Sequence, residues 1–304
     1  MLECCTLGTG GALPLPERAL SSLYVRVNGR ALLIDCGEGT QVGIRRLKWG
    51  FRCIDALLIT HYHGDHCGGL PGLLLSLDKS GRDEPFHIYG PAGLRRIVDG
   101  LRVIAPALSY PLVLHELTPG DSFSAIGLEI ACFPLDHGIP CLGYRLHLPR
   151  HAAFDPQKAR TLNVPLPLWK ELQQGQCVTL EGRTIRPEDV TGAPRKGLTL
   201  LYATHTRPVP VIPRMGEGAD LMILEGMYGD DEKTHQARKN HHMIFHEAAE
   251  LAKQSGAKQL VLTHFSNCID DPLEYLPLAQ AIFPNTLCAT DGQCFTLQYP
   301  ERKG

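Results

Sequence analysis

An excess of charge of either sign is missing from this chain: 30 Lys and Arg stand against 32 Asp and Glu, a formal net charge of −2. So balanced a chain has no global basic field to draw in nucleic acid, and any such role must rest on a local patch. Long apolar runs are missing too. None approaches the roughly 18 residues a helical membrane span needs, which excludes that class of protein. The opening Met1-Leu2-Glu3-Cys4-Cys5 has an early acid and no basic flank, so it does not read as a signal peptide. There is no C-x-x-C pair, and the cysteines number eleven, an odd count. That pattern fits reduced thiols in a cytoplasm better than a disulfide framework. Fixed-period repeats and low-complexity tracts are absent. Gly8 to Gly11 lacks a following G-K-[ST], which removes the phosphate-loop reading.

What is present is an ordinary 43% of hydrophobic residues, enough for a sizeable core in one large domain or two smaller ones, and a marked supply of 14 His and 31 Gly among 304 residues. Short β-rich runs recur at Leu2 to Leu7, Ser22 to Val27, Ala31 to Asp35, Ile54 to Thr60, Phe86 to Tyr89 and Leu128 to Phe133. Others are Leu142 to Leu148, Leu198 to Tyr202, Leu221 to Leu224 and Gln259 to Thr263. Many are nearly continuous in apolar residues, which suggests strands buried on both faces. The clearest helical pattern runs from about His242 to Lys253, with Gly256 as its stop. Strands and helices in this mixture argue for α/β layers. From about His151 to Lys196 the chain turns rich in Pro, Gln and charge and loses apolar periodicity. Composition alone leaves two readings of that segment, an excursion from the core or a long surface loop.

The dominant signal is His61-Tyr62-His63-Gly64-Asp65-His66, between the apolar run Ile54 to Thr60 and the Gly-rich helix start Cys67-Gly68-Gly69-Leu70-Pro71. The C-terminal end of a strand is where α/β sheets build their sites. In extended backbone His61 and His63 point the same way, whereas Asp65 and His66 fall on the turn and face a second position. Imidazole and carboxylate are the ligands expected of Zn²⁺ or another first-row ion.

These residues resemble the metal-binding motif of the metallo-β-lactamase superfamily and, within it, of the ribonuclease Z family of tRNA 3′-processing endonucleases. The resemblance covers nearly the whole chain. Leu7-Gly8-Thr9-Gly10 is similar to the family's first-strand turn, and Asp35-Cys36-Gly37-Glu38-Gly39-Thr40-Gln41 matches its D-C-G-E-G-T-Q. Ile88-Tyr89-Gly90-Pro91, His137 with Gly143-Tyr144-Arg145, and Leu262-Thr263-His264-Phe265-Ser266 resemble later family blocks. The resemblance implies a four-layer αββα metallo-β-lactamase sandwich forming a single domain over 1–304, with a protruding arm inserted at 151–196 as a candidate tRNA-binding exosite. It implies His61, His63 and His137 on one zinc ion and Asp65, His66 and His264 on a second, with Mn or Fe as alternative metals. Asp65, Glu225 and His242 become the catalytic candidates, the last two as the pair that supplies a proton to the departing 3′ oxygen. The implied reaction is metal-dependent cleavage of precursor tRNA by a metal-activated hydroxide, in a homodimer in which one subunit's arm presents tRNA to the other's site.

The chain also departs from the family pattern. Where a bridging aspartate is expected the sequence reads Ala203-Thr204-His205-Thr206-Arg207-Pro208, with His205 in the aspartate's place. A carboxylate bridges two ions and lends charge, whereas one neutral imidazole nitrogen binds one ion. Asp65 would then be the single protein anion at the pair, and one metal position is expected to be weakened, altered in geometry or changed in preference. The family's H-E-A-T has become Leu224-Glu225-Gly226-Met227, and H-S-T has become His242-Met243-Ile244. A glycine at the arm tip is missing from Val164-Pro165-Leu166-Pro167. Two rivals therefore stand beside the nuclease: a hydrolase of the same fold acting on another small ester or phosphodiester, and a catalytically impaired homologue that binds RNA or metal. Arg45, Arg46, Lys48 and Arg52, interleaved with Trp49 and Phe51, form the best basic patch outside the arm, or else the solvated face of a helix.

Overall fold

The computed structural model describes residues 1–180 and 182–299, which divide into two compact units: Met1–Leu148 together with Leu198 onward, and Pro149–Gly197. The larger unit opens with β1 (Leu2–Gly8), β2 (Ser22–Val27), β3 (Arg30–Ile34), β4 (Ile54–Leu58), β5 (Phe86–Gly90) and β6 (Leu112–Glu116). Between these strands run α1 (Thr40–Leu47), α2 (Gly64–Cys67), α3 (Leu70–Lys79) and α4 (Leu94–Leu101). There follow β7 (Ser122–Ala125), β8 (Leu128–Pro134) and β9 (Leu142–Arg150). The smaller unit holds α5 (Pro156–Thr161), α6 (Leu166–Gln173) and the hairpin β10 (Val178–Leu180) and β11 (Arg183–Ile185). The larger unit resumes with β12 (Arg195–Ala203), α7 (Val211–Met215), β13 (Leu221–Glu225), α8 (Thr234–Lys239) and α9 (Phe245–Ser255). It closes with β14 (Leu260–Thr263), α10 (Leu276–Gln280), β15 (Thr286–Cys288) and β16 (Cys294–Leu297).

Two seven-stranded sheets result, ordered β16-β1-β2-β3-β4-β5-β6 and β15-β14-β13-β12-β9-β8-β7. Each joins a parallel run to an antiparallel one. β3 to β6 and β12 to β15 are parallel; β1–β2 and β7–β8–β9 are antiparallel. Side chains alternate along each strand, and both faces are covered. Leu32, Ile34, Ala56 and Leu58 meet Ile130, Tyr144, Leu200 and Ile223 of the facing sheet. Their neighbours Ala31, Leu33 and Leu57 pack instead with Ile44 of α1, Leu73 and Leu77 of α3, and Leu94 and Val98 of α4. On the second sheet, Met222, Leu224, Leu260 and Leu262 pack against Ile212 of α7, Phe245 and Ala248 of α9, and Ala279 of α10. The order is helix, sheet, sheet, helix.

The sequence pattern starts the last long helix at His242, but α9 begins at Phe245. Ile244 is extended (φ −90°, ψ 164°), and the Glu247 carboxylate accepts its N–H at 3.2 Å, which fixes the first turn after it. His242 therefore sits in the turn before the helix. At the other end Gly256 takes φ 63°, the left-handed stop that its type suggests.

One close approach holds the metal-motif segment in place. Gly69, just ahead of α3, donates its N–H to the Cys36 carbonyl at 2.9 Å, and a Cβ there would lie 2.1 Å from the Gly37 carbonyl oxygen. Backbone cannot step aside as a side chain can. Gly69→Ala is expected to cost about 1–3 kcal/mol, read as a lower midpoint in urea unfolding. An unchanged midpoint would show that the two segments part without cost.

The smaller unit has its own apolar centre, in which Ala159, Val164, Leu172, Val178, Ile185 and Val190 are buried. Trp169 packs against it and donates its indole N–H to the Val164 carbonyl at 2.9 Å. Residue 181 and residues 300–304 lie outside the described residues, so the sequence-based limits 151–196 and 1–304 are covered except there.

Candidate metal centre

The titratable residues gather where strands end. Asp35 follows β3, His61 to His66 run from β4 into α2, and His137 follows β8. His205 follows β12, Glu225 is the last residue of β13, and His264 follows β14. Three of these take the left-handed backbone conformation: Asp35 at φ 61°, His205 at φ 55° and His264 at φ 57°. For a residue with a Cβ that conformation costs on the order of 1–3 kcal/mol and persists only where the surroundings enforce it. Here it turns each side chain back over the strand ends.

The side chains form two four-donor groups that share one member. His61, His63, His137 and His205 make the first; Asp65, His66, His205 and His264 make the second. In a tetrahedral site with metal–ligand bonds of about 2.0–2.1 Å, neighbouring donor atoms lie roughly 3.3 Å apart. In the second group Asp65 Oδ2 lies 3.3 Å from His264 Nε2, 3.4 Å from His205 Nε2 and 3.5 Å from His66 Nε2. His66 Nε2 and His264 Nε2 are 3.2 Å apart, and the edge from His205 Nε2 to His264 Nε2 is shorter, at 2.5 Å. In the first group His137 Nε2 lies 3.2 Å from His63 Nδ1 and 2.9 Å from His205 Nδ1. His61 Nε2 is buried with no hydrogen-bond partner, an arrangement that is costly unless the atom has a ligand to meet. Donor chemistry, spacing and this orphaned nitrogen all fit metal ions.

Electrostatics favour the same end. Burial pushes His61, His205 and His264 below the usual imidazole range, and His137 down to about 4. Neutral imidazole is the form that binds metal. Burial opposes ionisation of Asp65, but hydrogen bonds from His205, His264 and His66 outweigh it and hold the carboxyl well below its ordinary value. His66 goes the other way. Burial works against its charge, yet Asp35 and then Asp65 raise it to about 10, the mark of a strongly basic donor.

Asp35 acts through that histidine. Its Oδ2 lies 2.7 Å from His66 Nδ1, and its Oδ1 accepts the Thr60 N–H at 2.8 Å. The Thr60 hydroxyl lies 3.1 Å from His61 Nδ1, so one buried carboxylate orients ligands of both groups. Asp35→Asn is expected to weaken metal affinity about 10–100-fold, measured by competition with a chelating dye. The sequence motif contained Asp35 but gave it no role; the signal was its place one residue beyond a buried strand. Gly11 is the other glycine that matters here, because a Cβ on it would fall 2.4 Å from His264 Cε1. The next residue, Ala12, donates its N–H to Asp65 Oδ2 at 2.9 Å.

Beside the groups, Glu225 Oε2 lies 2.7 Å from His242 Nδ1, and its Oε1 accepts the Thr206 N–H at 2.6 Å. The His242 ring stands 4.7 Å from that of His205 and 5.5 Å from that of His137. Arg207, to which sequence reasoning gave no role, donates to the His242 carbonyl and pairs with both oxygens of Glu247, and so pins the turn that carries His242. His241, next to His242, is half-buried beside Asp136, with 3.0 Å between Nδ1 and Oδ1. Of the basic patch, Arg45, Arg46, Lys48 and Arg52 are exposed. Its aromatic rings are engaged within the fold: Arg26 lies over Trp49, which meets Tyr24 edge-on, and Arg45 covers Phe51.

Paired four-donor groups at the strand ends of a helix–sheet–sheet–helix sandwich define a metal-dependent hydrolase of the metallo-β-lactamase fold. The chain is 46% identical to ribonuclease Z of Lachnoclostridium phytofermentans, over 100% of both chains, and 46% identical to that of Clostridium acetobutylicum, over 96% of each. It belongs to the ribonuclease Z family. Human tRNase Z, short form, superposes with a TM-score of 0.70 at 25% identity, covering 97% of this chain and 99% of the human one. The Bacillus subtilis metallo-β-lactamase fold protein YhfI gives the same TM-score at 19% identity, over 97% of this chain and 98% of its own, which is likeness of fold alone. Residues 2–101 also match the family model described as anti-Pycsar protein Apyc1.

Proposed function

We infer that this chain is a metal-dependent endoribonuclease that removes the 3′ extension of precursor tRNA. The full-length likeness to proteins named ribonuclease Z carries that reading, and the paired donor groups supply its chemistry. We assign zinc to both groups: six imidazoles and one carboxylate, spaced for tetrahedral geometry, suit zinc better than ions that prefer six oxygens. Bound metal supplies Lewis-acid polarisation and a nucleophile from water at neutral pH.

The chain's own residues do the rest. Asp65 brings fixed negative charge to the second group. Glu225 holds His242 by Nδ1, so that Nε2, on the far side of the ring, carries a proton to the departing 3′ oxygen. Lys158, Arg160, Lys170, Arg183, Arg186 and Lys196 are exposed on the unit Pro149–Gly197 and would contact tRNA phosphates. Two copies are expected to associate, as the family resemblance implies; light scattering of the purified protein tests it. No helix of the described residues is long and apolar enough to cross a membrane, and all eleven cysteines are free, which suits a reducing cytoplasm.

The experiment is cleavage of a 3′-extended precursor tRNA with Zn²⁺ or Mn²⁺. A cut next to the discriminator base, lost on chelation and in His63→Ala, is the expected result. No cut at high enzyme concentration with either metal would overturn the tRNA reading and turn attention to smaller phosphodiesters.

A further inference from the structure

His205 belongs to both donor groups, and it does so with different atoms. Nδ1 faces the first group, 2.9 Å from His137 Nε2. Nε2 faces the second, 2.5 Å from His264 Nε2 and 3.4 Å from Asp65 Oδ2. The ring is held in that pose. It is buried, its backbone is fixed at φ 55°, and the rings of His61, His66, His137 and His264 surround it at 4.1 to 4.4 Å between centroids. A rotation of the ring that gave both nitrogens to one group would leave the other with three donors.

We propose that His205 is a two-sided ligand that gives one nitrogen to each metal position and so sets the distance between them. The proposal rests on the metal reading of the site. A carboxylate bridges two cations through oxygens on one carbon, and paired catalytic metals then stand about 3.5–4 Å apart. An imidazole puts its own ring between them: with metal–nitrogen bonds of about 2.0–2.1 Å on opposite sides of a five-membered ring, the two ions stand roughly 6 Å apart. At that distance one oxygen atom cannot touch both ions. When both nitrogens hold cations, the ring's single N–H proton has left to solvent, and the ring itself becomes an anion between the two positions. Replacement of the expected aspartate therefore keeps both positions complete, with four donors each, and widens their spacing.

This reading separates from simple weakening by a direct measurement. The full chain is loaded with zinc, metal is counted by mass spectrometry, and anomalous diffraction locates the ions in crystals. Two ions per chain about 6 Å apart are expected, moving to about 3.5–4 Å in His205→Asp. One ion per chain, or two at the short distance in the unaltered protein, would overturn the proposal. Should His205→Asp fail to fold, the spacing in the unaltered protein decides alone. Cleavage of precursor tRNA is assayed on the same loaded protein. Two ions at 6 Å without cleavage would support the spacing and count against the nuclease; cleavage with the short spacing would do the reverse.

Discussion

Replacement of Asp65 with asparagine is expected to lower precursor-tRNA cleavage on the order of 10³-fold or more, as loss of an essential charged group does elsewhere. Asparagine preserves the shape and can still accept the Ala12 N–H, so a loss would report on charge rather than on folding. The reasoning starts from the donor inventory. Asp65 is the one carboxylate in either four-donor group, and three buried imidazole nitrogens converge on its Oδ2 within 3.5 Å. Without that anion the second group keeps three imidazoles and no carboxylate, a poorer host for a dication. Metal content should fall from two ions to one while circular dichroism stays unchanged. Cleavage within tenfold of the unaltered protein would sink the assignment of Asp65.

The second large effect belongs to Glu225 and His242. Both Glu225→Gln and His242→Ala are expected to slow cleavage about 10²–10⁴-fold while leaving metal content intact, since neither belongs to the two four-donor groups. Glu225 is fully buried, and its Oε2 faces the His242 ring nitrogen at 2.7 Å, so a charged imidazole finds its counter-charge there. Glutamine keeps an acceptor for Thr206 but removes that charge. A substrate with sulfur in place of the departing 3′ oxygen needs little help from a proton. If His242 supplies that proton, the variants should lose less than about tenfold on the sulfur substrate, where proton transfer contributes least. Equal losses on both substrates would mean that the pair positions the RNA and transfers nothing.

How far the sequence reveals this fold depends on where a strand lies in its sheet. The interior strands were legible because helices or the other sheet cover both faces, so their residues are apolar almost without interruption. The four unread strands of the larger unit, β6, β7, β15 and β16, are the four sheet edges. Edge strands are half-exposed and short, with mixed residues such as Leu112-Val113-Leu114-His115-Glu116, and their pairing partner leaves no local trace. The site divides in a similar way. The cluster His61 to His66 is legible because its residues are neighbours in sequence. Asp35 under His66 and Arg207 clamped on Glu247 are not, because each works through a residue 31 or 40 positions away. The two-sidedness of His205 is likewise invisible in sequence, since a one-letter code does not say which ring nitrogen faces which neighbour.

The second donor group also has a history in time. His66 and His264 meet at 3.2 Å although 198 residues separate them in the chain. At about 5–20 residues per second, a ribosome takes roughly 10–40 s to travel from one to the other. For roughly the first two-thirds of that interval the nascent chain also lacks His205, and throughout it Asp65 and His66 wait for His264 to complete the second group. The second group therefore gains its fourth donor only when about seven-eighths of the chain has been made. A product truncated before β14 remains, whatever else it folds, half a metal site.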